Sequence, residues 1–210
     1  MEAAERDGRM RYRLDGMEIE VFDGVYPPSE DTFLLMDSLK AYSASAALEL
    51  CTGSGAVSVS LARRVRSIVA TDVNPAAARN ARHNLNANGC GTKAEVIVGD
   101  LFSPIAEGSK FDLIFMNPPY LPDDGTGCGD LAWEGGPDGR RVIDRFIKDV
   151  KRFLAPGGKV IFLQSTINGV SESIEALETQ GMVAKVVGTS SFQFEGLIVI
   201  EASMGQHQKE

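Results

Sequence analysis

Apolar and polar residues alternate through "MRYRL" and again through "MEIEVF", with Asp15-Gly16 between the two runs. A period of two marks strands with one buried face, and Asp-Gly is a two-residue hairpin turn, so residues 1–25 read as an N-terminal hairpin. The period then lengthens. In "VYPPSEDTFLLMDSLKAY", Phe33, Leu34, Leu35 and Leu39 share one helical face, Ser29 suits the N-cap, and Glu30 and Asp31 fall in the positive first turn.

From residue 46 short apolar runs take turns with amphipathic ones. The runs "AALEL", "SIVATD", "AEVIVGD", "FDLIFMN", "KVIFLQS", "MVAKVVGTSS" and "FEGLIVIEAS" read as strands. The helices are "SGAVSVSLARRV", "NPAAARNARHNLNAN", "RRVIDRFIKDVKRFL" and "VSESIEALETQG". Asn74 caps the second of these with Pro75 at its first position, Pro156-Gly157-Gly158 ends the third, and Gly181 is the C-cap of the fourth. This order predicts an α/β fold: a seven-stranded, mostly parallel open sheet with helices on both faces. The final two strands have no helix between them, so the last is antiparallel. Residues 26–202 form this domain and residues 203–210 a disordered tail. The one long irregular piece, residues 118–139, has a length usually reserved for function.

Composition narrows the choices. The 210 residues, 43% hydrophobic and 24% charged, suit a single globular domain with a short appendage. No apolar run is long enough to span a membrane, and "MEAAERDGRMRYR" lacks a signal-peptide core, so a cytoplasmic protein is expected. Cys51, Cys90 and Cys128 are odd in number and never in a C-x-x-C pair, which argues against a disulfide framework and a zinc site. His83 sits in a polar helix and His207 in the tail, positions of solvated surface, which disfavours a histidine triad or metal hydrolase. The net charge of −8 repels nucleic-acid phosphates and suits a basic partner or a cationic ligand.

In sheets of this kind ligands bind beyond the carboxyl ends of the strands. "ELCTGSG" follows the first strand, where Gly53 and Gly55 allow a tight turn and close approach to a ligand. Asp72 ends the second strand, placed to accept from a ribose diol. Asp100-Leu101 follow the third, and Asn117-Pro118-Pro119-Tyr120 the fourth. A dinucleotide would require Gly or Ala where Ser58 stands, and would leave Glu49 unexplained. A carboxylate inside a buried strand is costly unless paired, and it fits a cationic ligand such as S-adenosylmethionine.

"LELCTGSG", "TDVNP", "GDLF" and above all "NPPY" resemble the class I S-adenosylmethionine-dependent methyltransferases, which have a Rossmann-like fold. "VYPPSEDTFLL" and "WEGGPDGRRVIDRFI" are similar to the HemK-type release-factor glutamine methyltransferases, in the archaeal and eukaryotic branch, and the resemblance spans about residues 20–200. It implies that Thr32 touches the cofactor, that Glu49, Cys51 and Gly53 line its methionine part, and that Asp72 holds the ribose hydroxyls. It further implies that Asp100 and Leu101 address the adenine and that Asn117 faces both the methyl and the substrate. Cys51 stands where the motif usually has glycine.

The chemistry of Asn-Pro-Pro-Tyr agrees with that resemblance. An amide nitrogen must lose planarity to attack a methyl group. Two acceptors on its N–H bonds, the Asn117 side-chain oxygen and the Pro118 carbonyl held by the rigid Pro118-Pro119, favour that change, and Tyr120 can pack on the flat amide. The exocyclic amines of adenine and cytosine would be served equally. Three functions therefore stand: methylation of the glutamine in the Gly-Gly-Gln loop of a peptide chain release factor, methylation of a nucleic-acid exocyclic amine, or a non-catalytic S-adenosylmethionine-binding module. The loop to Gly139 carries Asp123, Asp124, Asp130, Glu134 and Asp138 with no Lys or Arg, which favours a basic protein substrate over phosphate. Trp133 lies in the same loop, to contact substrate or to pack. Bacterial members of the family grasp their substrate with a helical N-terminal domain. By resemblance, this branch uses a small zinc-binding activator protein, expected to pair with a sheet edge or cover an apolar patch.

Overall fold

The computed structural model describes residues 9–122, 135–191 and 195–205, and the backbone of 2–6. Three N-terminal strands, β1 (Glu2–Arg6), β2 (Arg9–Leu14) and β3 (Met17–Val21), form an antiparallel sheet, with Asp15-Gly16 turning between β2 and β3. β1 has no counterpart in the sequence reading, because "EAAER" lacks apolar alternation. After α1 (Glu30–Leu39) the chain builds β4 (Ala44–Leu50), α2 (Ala56–Leu61), β5 (Val65–Asp72), α3 (Pro75–Ala87), β6 (Ala94–Val98) and β7 (Phe111–Met116). It continues as α4 (Arg141–Phe153), β8 (Leu154–Ser165), α5 (Val170–Thr179), β9 (Met182–Ser191) and β10 (Gly196–Met204).

The seven later strands make one sheet in the order β6-β5-β4-β7-β8-β10-β9. The first five in that order run parallel, and β10 is antiparallel to both its neighbours, as expected. Successive side chains of a strand point to opposite faces. Ala47, Leu113, Phe115, Ile161 and Leu163 therefore pack with α1, α2, α3 and the hairpin, while Leu48, Leu50, Ile114, Met116 and Phe162 pack against α4. Both faces of the sheet are covered, which is why its strands read as nearly continuous apolar runs.

The boundaries differ from expectation where packing overrides local signals. α2 is short and passes through a 3-10 turn, Ala62–Arg64, into β5. Pro156-Gly157-Gly158 does not end α4: the helix stops at Phe153, and Leu154 is already in β8, paired with Phe111 and buried against α4. The Pro-Gly-Gly lies inside the strand, where the register against β7 slips. Gly181 sits one residue beyond the cap Gln180, with φ +79°. β10 runs to Met204, into the stretch read as a tail. Gly55 approaches α3 rather than a ligand: a Cβ there would lie 2.8 Å from Ala81 Cα.

The N-terminal sheet docks through an asparagine ladder. Asn80, Asn84 and Asn88 stand one helical turn apart along α3 and its C-cap. Their side chains bond the open backbone edge of β3 in the manner of another strand. Asn80 accepts from Phe22 N (2.8 Å) and donates to Glu20 O (2.7 Å). Asn84 accepts from Glu20 N (3.0 Å) and donates to Glu20 O and Ser54 O (both 2.8 Å). Asn88 accepts from Glu18 N (3.1 Å) and donates to Glu18 O (2.8 Å). The match is geometric, since four helical residues rise about 6 Å and two strand residues about 6.8 Å. Asn80 and Asn84 are fully buried. Replacing Asn84 by Leu keeps the branched shape but orphans Glu20 N and Ser54 O and leaves Glu20 O with Asn80 alone, so urea denaturation should show a loss of about 2 kcal/mol or more. Asn88→Ala, nearer the solvent, should cost about 1 kcal/mol or less.

Candidate active site

Most of the candidate ligand-binding residues read from the sequence meet in one cavity of about 340 Å³ beyond the carboxyl ends of β4, β5, β6 and β7. Thr32, Glu49, Cys51, Gly53, Asp72, Asp100, Leu101, Asn117, Pro118 and Tyr120 all line it. The parallel strands deliver their ends to the same side, so residues far apart in sequence share a wall.

Glu49 is 2% exposed. Its Oε2 accepts from Thr52 Oγ1 (2.6 Å) and from Ser58 Oγ. Among the described residues it has no lysine or arginine partner. Burial pushes its carboxyl up to about 7, against the pull of the two hydroxyls, and the nearby Asp72 charge adds to the rise. A buried acid held at the edge of ionisation by neutral donors suits a cation arriving from the cavity. Asp72 closes the glycine loop, accepting from Gly53 N (2.8 Å) and Asn74 N (2.9 Å), and burial raises its pKa.

Cys51 has φ +56°, a left-handed conformation that a side chain opposes and that explains glycine as the usual occupant. Leu101 is also left-handed, at φ +48°, with its carbonyl accepting from Thr71 Oγ1 (3.2 Å). Asp100 pairs with Arg145 of α4 at 2.6 Å, a half-exposed ion pair at the rim.

Asn117 follows β7 directly. Its Nδ2 donates to Asp31 Oδ2 (3.0 Å), and its Oδ1 is buried without a partner. Tyr26 (2.9 Å) and Tyr120 (3.4 Å) donate their hydroxyls to the same Asp31 oxygen. Burial, followed by the Asp31 charge, raises both phenols above their ordinary range. The Tyr120 carbonyl accepts from Asn168 Nδ2 (2.9 Å), which also bonds Asp138 O (3.1 Å). Gly139 has φ +73°, and a Cβ there would collide with the Tyr120 carbonyl oxygen, which accounts for the glycine of "PDGRR" beside the tetrapeptide. Asp138 caps the turn into α4 by accepting from Arg140 N (3.0 Å).

Sequence reasoning placed Asp31 only as a helix-end charge, took Ser58 only as a missing glycine, and missed Tyr26, Thr52 and Arg145. Thr52 and Ser58 were detectable as hydroxyls close behind a strand acid. Tyr26 and Asp31 carried no signal, because their meeting with Asn117 is tertiary. His83 is surface, 43% exposed beside Glu20. Asp123, Asp124, Cys128, Asp130, Trp133, Glu134 and His207 lie outside the described residues.

A family model described as methyltransferase small domain matches residues 29–193. The chain belongs to that methyltransferase family. A Methanocaldococcus jannaschii relative, named provisionally as a protein N5-glutamine methyltransferase, is 34% identical over 92% of this chain and 98% of its own. Methyltransferase HEMK2 of Homo sapiens is 35% identical over 77% of this chain and 81% of that protein. Among solved structures, the Mtq2–Trm112 complex of E. cuniculi, responsible for methylation of the translation termination factor eRF1, contains a similar chain. That chain aligns with TM-score 0.65 and 27% identity over 87% of this methyltransferase and 99% of itself.

The Glu49 carboxyl has a testable effect on the ligand-free methyltransferase. Its pKa is raised from 4.5 to about 7 on folding, so its contribution to stability is complete below about pH 4.5 and is lost as the pH rises through 7. Glu49→Gln should stabilise the ligand-free protein at pH 8 by roughly 3 kcal/mol and leave it unchanged near pH 4.5. Melting curves with the same difference at both values would contradict this.

Proposed function

We propose that this protein is an S-adenosylmethionine-dependent N-methyltransferase acting on the glutamine amide of the Gly-Gly-Gln loop of a peptide chain release factor. The observation that carries the reading is the buried, unsatisfied Asn117 Oδ1, an acceptor on a residue that lines the same cavity as Glu49, an acid with no lysine or arginine partner among the described residues. Relatives named for N5-glutamine methylation and a similar chain from an eRF1-methylating complex support the choice of acceptor. On this reading residues 26–202 carry the catalysis, and the N-terminal three-stranded sheet braces α3.

The residues fit the cofactor. Glu49, with Cys51 and Gly53, would hold the methionine end, Asp72 the ribose hydroxyls, and Asp100 with Leu101 the adenine, with Thr32 beside them. When bound, the cofactor supplies an electrophilic methyl on a sulfonium. Asn117 Oδ1 and the Pro118 carbonyl would accept the two amide protons of the substrate glutamine and so favour a pyramidal nitrogen with an available lone pair. Tyr120 would pack on the amide plane. The nitrogen gains the methyl, and its surplus proton, acidified by the new bond, passes to solvent. Positioning supplies much of the remainder of the rate.

A small zinc-binding activator is the proposed partner, since the similar solved chain is complexed with Trm112. β6 is an edge strand, and Val98 at its end and Val73 nearby are about half exposed, a surface suited to such a partner. A translation factor as acceptor supports a cytoplasmic location for the enzyme.

Labelled methyl should pass to a Gly-Gly-Gln release factor in the presence of the activator, but neither to its Gln→Ala variant nor to duplex DNA. Asn117→Ala should lower the rate by ~10²–10³-fold. Label on DNA instead would establish the exocyclic-amine reading. Because Glu49 titrates at about 7 in the free protein, cofactor affinity should fall by up to about tenfold per unit below that pH and level off above it. Calorimetry should find that slope abolished in Glu49→Gln.

A further inference from the structure

We propose that Asp31 is a positioning residue that sets which way the Asn117 amide faces, so that the site accepts a substrate offering two N–H bonds and rejects one offering oxygen. The inference rests on the glutamine reading above and deepens it.

Asp31 lies in the first turn of α1 and is 3% exposed. Each of its polar contacts is a donor. Oδ2 receives Asn117 Nδ2 at 3.0 Å, Tyr26 OH at 2.9 Å and Tyr120 OH at 3.4 Å. Oδ1 receives the backbone N–H of Thr32 and the Thr32 hydroxyl, the latter at 3.2 Å. A carboxylate so surrounded has nothing to donate, so the Asn117 amide must turn its nitrogen towards it. The reverse orientation would set two oxygens 3.0 Å apart in a buried site, with no proton between them. Asn117 Oδ1 is thereby forced to the other side, where it is buried and unbonded. The acceptor polarity is set before any substrate arrives, by groups from three separate segments: Tyr26 after the hairpin, Asp31 on α1, and Asn117 with Tyr120 after β7.

Two consequences follow for the reaction. The N–H bond to a carboxylate shifts amide electron density onto Oδ1, strengthening it as an acceptor for the substrate N–H. A glutamate in place of glutamine would meet oxygen with oxygen, so the same device separates the two side chains.

Asp31→Asn tests this, because an amide at residue 31 keeps the shape but can donate or accept, which frees Asn117 to flip. In the full chain with its activator we expect kcat to fall about 10²-fold, with cofactor affinity within twofold and an unchanged melting temperature. A purely structural role is separated by a double-variant cycle. If Asp31 acts through Asn117, Asp31→Asn combined with Asn117→Ala is no slower than Asn117→Ala alone. Tyr26→Phe, which leaves the carboxylate in place, should cost less than tenfold, and it serves as the milder probe if Asp31→Asn fails to fold. The ligand-free protein offers a readout independent of activity. In ¹⁵N spectra one Asn117 side-chain proton should be shifted downfield and slow to exchange, and both properties should vanish in Asp31→Asn. Wild-type rates in Asp31→Asn, additive losses in the double variant, or identical Asn117 amide signals would each overturn the proposal. A wild-type enzyme silent on the release factor, but with the amide signal changed by Asp31→Asn, would overturn the glutamine reading and leave the orientation device standing.

Discussion

Parallel pairing of β5, β4 and β7 is the constraint on which the rest depends. Parallel neighbours must all end on the same side, and each chain must then cross back over the sheet before the next strand begins. The ends of β4, β5 and β7, with the turn after β6, thus come together although they are spread over nearly seventy residues of sequence. No local motif assembles the cavity. It follows from strand order, and the helices that carry the return crossings supply its walls.

Within that frame three acids of the site have no lysine or arginine partner among the described residues. Glu49 is kept by two hydroxyls, Asp72 by two backbone N–H groups, and Asp31 by tyrosines, a threonine and an asparagine amide. Neutral donors make a buried acid tolerable without cancelling its charge. Glu49, Asp72 and Asp31 therefore keep their negative character available to a cationic ligand. At the rim, Asp100 and Arg145 form a half-exposed ion pair.

Much of this was legible in the sequence, because strand order and strand ends are local signals. "TDVNP" shows its acid, cap and helix start directly, and "FDLIFMNPPY" shows where a buried strand must stop. What escaped notice depended on partners distant along the chain. Gly55 carries the same letter whether it faces a ligand or Ala81. Asp31 reads as a helix-dipole acid until Asn117, 86 residues away, is brought to it. The Pro-Gly-Gly after α4 reads as a terminator, yet the pairing of Leu154 with Phe111 draws it into a strand. β1, with two alanines between charged residues, is held by backbone pairing with β2, which leaves no pattern to read.

The asparagine ladder of α3 holds β3 entirely by main-chain groups, at Glu18, Glu20 and Phe22. Such a grip is blind to side-chain identity on the strand it holds. Substitutions along the outer face of the hairpin can accumulate without loosening its attachment, whereas the three asparagines cannot drift independently, since each spans a fixed step of the strand. The solvent-facing positions of the hairpin are thus open to change in surface chemistry, while the asparagines of α3 and the buried Leu14, Ile19 and Val21 carry the attachment.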